Sequence, residues 1–219
     1  MSQDRGVRQA QPASPSGGVR RPRVLLATRN RHKLAELRRI LAATATVELV
    51  GLADVPEYVE APETGVTFAD NALLKAREGV RHTGLPTIAD DSGLVVEVFG
   101  QAPGVFSARW AGRHGDDVAN LELLLAQLAD VPDDHRQAAF VCAAALVLPN
   151  GSEHVVEGRQ PGVLIRAPRG SGGFGYDPIF VGEGQDRTNA ELSAAEKDAV
   201  SHRGRAFRAL AGVIASHVR

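Results

Sequence analysis

Asp90 and Asp91 stand side by side, followed by Ser92-Gly93 and preceded by the apolar Thr87-Ile88-Ala89. Adjacent carboxylates at the end of an apolar strand repel one another, and desolvation adds to the cost of keeping both ionised. A hard divalent cation relieves that cost, and Mg2+ favours one or two carboxylates together with the phosphate oxygens of a bound molecule. The competing reading is an Asx or type I turn whose acids cap backbone groups and bind nothing. Placement at a strand end favours the metal.

Lysine points to the same kind of ligand. The chain has three lysines against 22 arginines, and all three fall in short polar motifs: Thr28-Arg29-Asn30-Arg31-His32-Lys33, Asn71-Ala72-Leu73-Leu74-Lys75 and Ser193-Ala194-Ala195-Glu196-Lys197. A solvated surface is indifferent to which cation it carries, whereas a phosphate contact that uses a compact ammonium is not. Residues 20–39 also hold eight basic side chains against the single Glu36, which suggests a local anion site. The segment from Thr28 to Lys33 reads as a strand-to-helix turn, where free N–H groups cradle phosphate. It has no glycines, so it is neither a Walker A loop nor a dinucleotide fingerprint.

Two further segments have the composition of a base-recognition site. In Gly172-Gly173-Phe174-Gly175-Tyr176-Asp177 the glycines let an aromatic ring project as a stacking platform, and a stacked nucleobase is worth about 1–3 kcal/mol. The alternative is that Phe174 and Tyr176 plug the core beneath a flexible loop. Lys197 and Ser201-His202-Arg203 lie between the last two expected helices, where His202 and Arg203 offer donors to a keto oxygen. Basic groups at a helix start oppose the dipole unless something anionic or carbonyl-bearing compensates.

The elements that must position these groups follow from periodicity. Val24 to Ala27 reads as a strand, and Leu34, Leu37 and Leu41 mark one face of a helix. Thr67-Phe68-Ala69-Asp70 forms a capping box opening a helix through Val80. Thr87–Ala89 and Leu94–Phe99 read as two strands flanking a turn, Asp117–Ala129 as a helix, and Phe140–Leu148 as a buried strand. Pro149-Asn150-Gly151 turns that strand back into His154–Glu157. Ile179-Phe180-Val181 is a strand, Ser193–Glu196 a second capping box, and Phe207, Leu210, Ile214 and Val218 line a final helix. Strands alternating with helices, interrupted by one hairpin, predict an α/β fold with a mixed central sheet flanked by helices.

Of 219 residues, 43% are hydrophobic and 23% charged, with a net charge of −1. The composition is that of a soluble globular domain, with no global field for nucleic acid or an anionic membrane. Residues 1–20 read as a disordered tail and 21–219 as one domain. Cys142, the sole cysteine, sits in the apolar run Ala138–Leu148 and reads as core; no disulfide, no signal peptide and no spanning segment are expected, which places the chain in the cytoplasm. Trp110 and Val105-Phe106 are expected in the core, with a subunit interface as the alternative.

Taken together these motifs resemble the inosine triphosphate pyrophosphatases, also called dITP/XTP diphosphatases. The likeness runs from about Val24 to Leu210 and rests on Leu26–Asn30 with Lys33, Glu63-Thr64-Gly65 through Lys75-Ala76, Ala89–Leu94, Ala102-Pro103-Gly104 with Ser107-Ala108-Arg109, Gly172–Pro178, and Ser201–Gly204. The resemblance implies Mg2+-dependent hydrolysis of dITP, ITP or XTP to the monophosphate and pyrophosphate, which clears such bases from the nucleotide pool. It also implies a homodimer of two-lobed subunits with the active-site groove between the lobes. By motif, Asp91 becomes general base and metal ligand; Thr28, Arg29, Asn30, Arg31, His32 and Lys33 hold the triphosphate, with Ser92 and Lys75 nearby. Phe174, Gly175, Tyr176 and Asp177 form the base platform, and Lys197, His202 and Arg203 contact base and phosphate. Family members often carry two acids before Thr-Gly; here the first place is Pro62, which leaves Glu63, Glu60 or water as the second metal ligand.

Overall fold

The computed structural model describes residues 21–42, 47–59 and 62–218, without the side chains of Arg31, His32 and Ala42. The N-terminal segment 1–20 and Glu60 lie outside the described residues. Within the described residues six strands form one mixed sheet in the order β2-β1-β3-β4-β5-β6. They are β1 (Arg23–Leu26), β2 (Glu48–Gly51), β3 (Thr87–Val96), β4 (Gln137–Val147), β5 (Glu153–Leu164) and β6 (Phe180–Gly182). β1 runs parallel to β2 and β3, and the remaining pairs are antiparallel. Among the described residues five helices surround the sheet: α1 (Arg31–Ala42), α2 (Phe68–Thr83), α3 (Asp117–Gln127), α4 (Ala194–Val200) and α5 (His202–His217). None of the helices is long and apolar enough to cross a membrane, among the described residues.

The sharpest departure from the sequence reading is β3. Asp90 to Gly93 do not form a turn at a strand tip, because β3 continues unbroken through them and ends in a short 3-10 turn at Glu97–Phe99. The facing strand explains how. Asp90, Asp91 and Ser92 pair with Ala144, Ala143 and Cys142 of β4, whose small side chains leave room for polar groups beside the backbone ladder. Other shifts are of extent. α2 continues to Thr83, the hairpin's return strand runs to Leu164, and Ile179 belongs to a 3-10 turn before β6. β2 had no sequence expectation. His202 and Arg203 form the first turn of α5, capped by Ser201, instead of a linker between helices.

Of the two expected capping boxes, the one at Ser193 is complete, with the Ser193 N–H also donating to Glu196. At Thr67 only the cap half forms, because Asp70 accepts from the Thr67 hydroxyl instead of its backbone N–H. Thr67 accepts from the Asp70 N–H at the start of α2, and Ser193 accepts from Glu196 at the start of α4.

The core has several parts sharing the same strands. On one face of the sheet Leu26, Leu37, Leu41, Phe207, Leu210 and Ile214 join β1, α1 and α5. On the other, Ala72 and Ala76 of α2 lie on Ala89, Ala143 and Ala145. Beyond residue 93 the strands change company: Leu94, Val96 and Phe140 pack with Leu121, Leu124 and Phe180 under α3. Trp110 packs against this last cluster, as a core residue would, whereas Phe106 is 53% exposed. The Asp90–Gly93 stretch sits where one core gives way to the other.

Candidate functional site

Strand geometry decides what the two aspartates can do. Successive side chains of a strand point to opposite faces, and the contacts follow that rule. Asp90 and Ser92 both meet Arg203 of α5, while Asp91 meets Asn71 and Lys75 of α2. The two carboxylates therefore hydrogen-bond to different cations, while the charges of Lys33 and Lys75 act on both.

Asp90 is 2% exposed and accepts from Lys33 Nζ at 2.9 Å and from Arg203 Nε at 3.4 Å. Burial favours its neutral form, but Lys33, Arg203 and Lys75 outweigh it and hold the carboxyl well below the usual range. Arg203 also donates to Glu36 at 2.6 Å and to Ser92 Oγ at 2.8 Å, so its guanidinium is a buried tie between α1, β3 and α5. Its pKa is raised because Glu36 and Asp90 overcome the burial that would lower it.

Asp91 differs. Burial pushes its pKa up, and Lys75 and Lys33 only partly oppose this. Asn71 Nδ2 holds one of its oxygens at 3.1 Å and Lys75 Nζ the other at 3.3 Å. The same ammonium takes Glu63 Oε1 at 3.0 Å. Burial opposes ionisation of Glu63, but Lys75 prevails and lowers its pKa. Two carboxylates thus converge on one lysine. Among the described residues no group of three or more His, Cys, Asp or Glu could hold a metal ion. A pair of carboxylates suits a small hard cation that keeps waters and takes phosphate oxygens, and does not suit a metal needing a cage of protein ligands.

The β1–α1 turn is built as a helix start. Asn30 N donates to Thr28 Oγ1 at 3.3 Å, and Asn30 Oδ1 accepts from Lys33 N at 3.1 Å, which makes Asn30 the cap of α1. No acid occupies the first turn, so the positive end of the helix dipole is uncompensated there. Arg29 donates to the Tyr58 carbonyl and ties this turn to the segment before α2.

The glycine loop does two jobs. Tyr176 is 4% exposed, packs in the α3-side cluster and donates its hydroxyl to the Ser107 carbonyl at 2.9 Å. It follows the core-plug reading while its edge still lines the groove. Phe174 is half-buried, with Lys197 Nζ 5.1 Å and Arg203 Cζ 5.6 Å from its ring centroid. His202 is 4% exposed and stacks on Phe140 with centroids 4.9 Å apart at 13°. Burial, reinforced by Arg203 and Lys197, drives its pKa well below the ordinary value, so the ring is neutral. Among the described residues its buried Nδ1 has no hydrogen-bond partner.

A groove of about 500 Å³ gathers Thr28, Arg29, Asn30, Lys33, Lys75, Asp91, Ser92, Phe174, Gly175, Tyr176, Asp177, Lys197, His202 and Arg203. That volume is in the range of small-molecule sites. Of the residues singled out by sequence, Glu60 and the Arg31 and His32 side chains fall outside the described part. Glu36, Asn71, Asp117 and Phe140 were missed. Glu36 had a signal, as the lone acid in a basic segment. Asn71 stood four residues before Lys75, one helical turn away on the same face. Nothing local marked Asp117, which accepts from the Gly175 N–H across 58 residues, or Phe140 under His202. Cys142 is buried, its thiol pKa pushed up by desolvation, as expected of a core residue.

The Ham1 family matches residues 24–213. A dITP/XTP pyrophosphatase of Mycobacteroides abscessus is 64% identical over 190 residues, covering 86% of this chain and 92% of its own length. Its counterpart in Streptomyces coelicolor is 62% identical over 193 residues, covering 88% and 96%. Among solved structures, a HAM1 protein from Coxiella burnetii superposes with a TM-score of 0.79 at 40% identity, covering 89% of this chain and 99% of its own. The nucleoside-triphosphatase / dITP/XTP pyrophosphatase from Mycobacterium abscessus gives a TM-score of 0.72 at 64% identity, covering 86% and 98%.

Proposed function

The chain belongs to the Ham1 family, and from that premise we propose that it hydrolyses the oxo-purine triphosphates dITP, ITP and XTP to monophosphate and pyrophosphate, with Mg2+. One observation carries the reading. A single groove holds a tethered carboxylate with a raised pKa, Asp91, and a neutral histidine with an unpartnered ring nitrogen, His202. The first suits proton abstraction and the second suits a base carbonyl.

Each group then has a task. The triphosphate lies against the N-terminus of α1, with Lys33 and Lys75 supplying point charges. Asp91 takes a proton from water as the general base. The water oxygen bonds to the α-phosphorus, and the bond from that phosphorus to the α–β bridging oxygen breaks. Pyrophosphate leaves with the electron pair. Asp91, with Glu63 beside it, would hold Mg2+, which when bound neutralises phosphate oxygens. Asn71 keeps the Asp91 carboxylate aimed, and Lys75 compensates charge as the leaving group develops it.

At the other end the base stacks by Phe174, and the unpartnered nitrogen of His202 meets O6 of hypoxanthine or xanthine. Adenine brings an amino group to that position. A site built on hydrogen bonds can reject a mismatched partner by roughly 10⁴–10⁵, because its buried polar groups go unpaired. Homodimeric assembly and a cytoplasmic role in clearing such nucleotides belong to the same reading through the family resemblance.

The test is a panel of dITP, XTP, dATP and dGTP with Mg2+, in which the released phosphate is identified by phosphorus NMR. Pyrophosphate from dITP and XTP, at a rate far above that from dATP, supports the reading. Orthophosphate release, or binding without turnover, sinks it. Sedimentation of the purified chain measures the assembly state.

A further inference from the structure

Behind the base platform lies a buried polar chain that the hydrolytic scheme does not use. Asp177 is 2% exposed and its two carboxylate oxygens have different partners. Oδ2 accepts from Lys197 Nζ at 2.5 Å and from the Phe174 N–H at 2.8 Å, so it fixes both the platform's backbone and the cation over its ring. Oδ1 accepts from Asn189 Nδ2 at 3.3 Å. Asn189 in turn exchanges two hydrogen bonds with Gln160 of β5, donating to Oε1 at 3.2 Å and accepting from Nε2 at 3.0 Å. Asn189 and Gln160 are 1% and 3% exposed.

The amide pair has one internally consistent orientation. A side-chain amide has two N–H hydrogens, and those of Asn189 serve Gln160 and Asp177 while its oxygen takes the Gln160 amide. Flipping Asn189 would set oxygen against oxygen at both contacts, a costly arrangement where water cannot compensate. The loop leaves Asp177 no slack either. Gly173 has φ +70, and a Cβ there would lie 2.1 Å from Asp177 Oδ2. The carboxylate is held on one side by the loop's own backbone and on the other by an amide pair anchored in the sheet.

From this we infer that Asn189, backed by Gln160, is a positioning residue for purine recognition: it orients Asp177, and through it Phe174 and Lys197, at the base end of the groove. The inference rests on the oxo-purine reading of that groove and adds residues that touch no substrate. It predicts an effect confined to the base, because the phosphate end is held by separate elements, α1 and α2.

The test compares the full chain with Asn189→Ala, Gln160→Ala and the conservative Gln160→Glu, which keeps the acceptor for Asn189 Nδ2 and, protonated in this buried site beside Asp177, keeps a donor for Asn189 Oδ1. Measured for each are KM and kcat for dITP, the inhibition constant of inorganic tripolyphosphate, which has no base, and the melting temperature. The expected result for both alanine variants is a KM raised about tenfold, kcat lowered less than threefold and tripolyphosphate inhibition within twofold of wild type. Gln160→Glu should recover most of the KM. An unchanged KM in both alanine variants overturns the inference. So does a parallel weakening of dITP and tripolyphosphate, or the same KM for Gln160→Glu as for Gln160→Ala. Should the wild-type chain bind dITP without hydrolysing it, the hydrolytic proposal fails on its own. The same comparison then runs on calorimetric Kd values for dITP and tripolyphosphate.

Discussion

Two neighbouring aspartates with the same intrinsic acidity end up with opposite shifts. Asp90 faces Lys33 and Arg203 and is held low, whereas Asp91 faces one shared lysine and an amide and is raised by burial. Only Asp91 lines the groove. Replacing Asp91 with Asn keeps its size and its contact with Asn71 while removing the base. Steady-state assays on dITP should show kcat reduced by roughly 10²–10⁴, and Asp91→Asn retaining most activity would move the role elsewhere. His202 gives a stability prediction whose sign is fixed by its depressed pKa. Burial pushes it down, helped by Arg203, Lys197 and Lys33, and Asp90 opposes them. The unfolded chain protonates this ring near pH 6.5 and the folded chain does not, so stability falls as pH drops below that value and is flat above it. Melting temperatures between pH 7.5 and 5 should therefore fall more steeply for the wild-type chain than for His202→Gln; equal slopes would mean that the buried ring is not the responsible group.

At the level of elements, β3 marks what sequence could and could not reveal. Helix faces and caps were readable because their signals are local: Thr67 and Asp70, or Ser193 and Glu196, sit within one turn of each other. The polar run inside β3 looked like a turn because its partners are distant. Asp90 is 57 residues from Lys33 and 113 from Arg203, and no local pattern announces them. The residue types of the site were legible, but their division between two faces was not, since alternation is visible only once the strand is known to continue. Asn189 and Gln160, 29 residues apart, are two neutral amides that sequence gives no reason to pair. The seating of α5 on β5 was equally silent and depends on one position. A Cβ on Gly158 would stand 2.1 Å from the His202 carbonyl oxygen and 2.5 Å from the Ala206 nitrogen, both backbone atoms that cannot swing aside. Gly158→Ala should cost about 1–3 kcal/mol, as overpacking does. Because α5 begins with His202, KM for dITP should rise as well. Denaturant titration checks the first effect and kinetics the second. A variant of wild-type stability would show that the helix can lift away freely.

Across the whole molecule, the groove lies between two packed regions that share their strands. β4 alone contributes Ala138 and Phe140 to the α3-side cluster, Cys142, Ala144 and Leu146 to the one beneath α1 and α5, and Ala143, Ala145 and Val147 to the one under α2. Neither region can lose its packing while the other keeps intact strands, so the described chain should unfold as one cooperative unit. The sequence supplies a probe for one side. Trp110, the only tryptophan, packs against the α3-side cluster and donates to Gln127 at 2.8 Å. Far-UV circular dichroism is weighted toward the opposite side, where α1, α2 and α5 lie. At one protein concentration, urea midpoints from tryptophan fluorescence and from circular dichroism should coincide. A nucleotide spanning the groove contacts both sides, so in the Asp91→Asn chain, which turns it over slowly, dITP with Mg2+ should raise both midpoints together, adding about 2.7 kcal/mol of stability at a hundredfold excess over Kd. Two separated midpoints, or a ligand shift seen by one probe alone, would mean that the halves are independent lobes and that the site does not depend on their being joined.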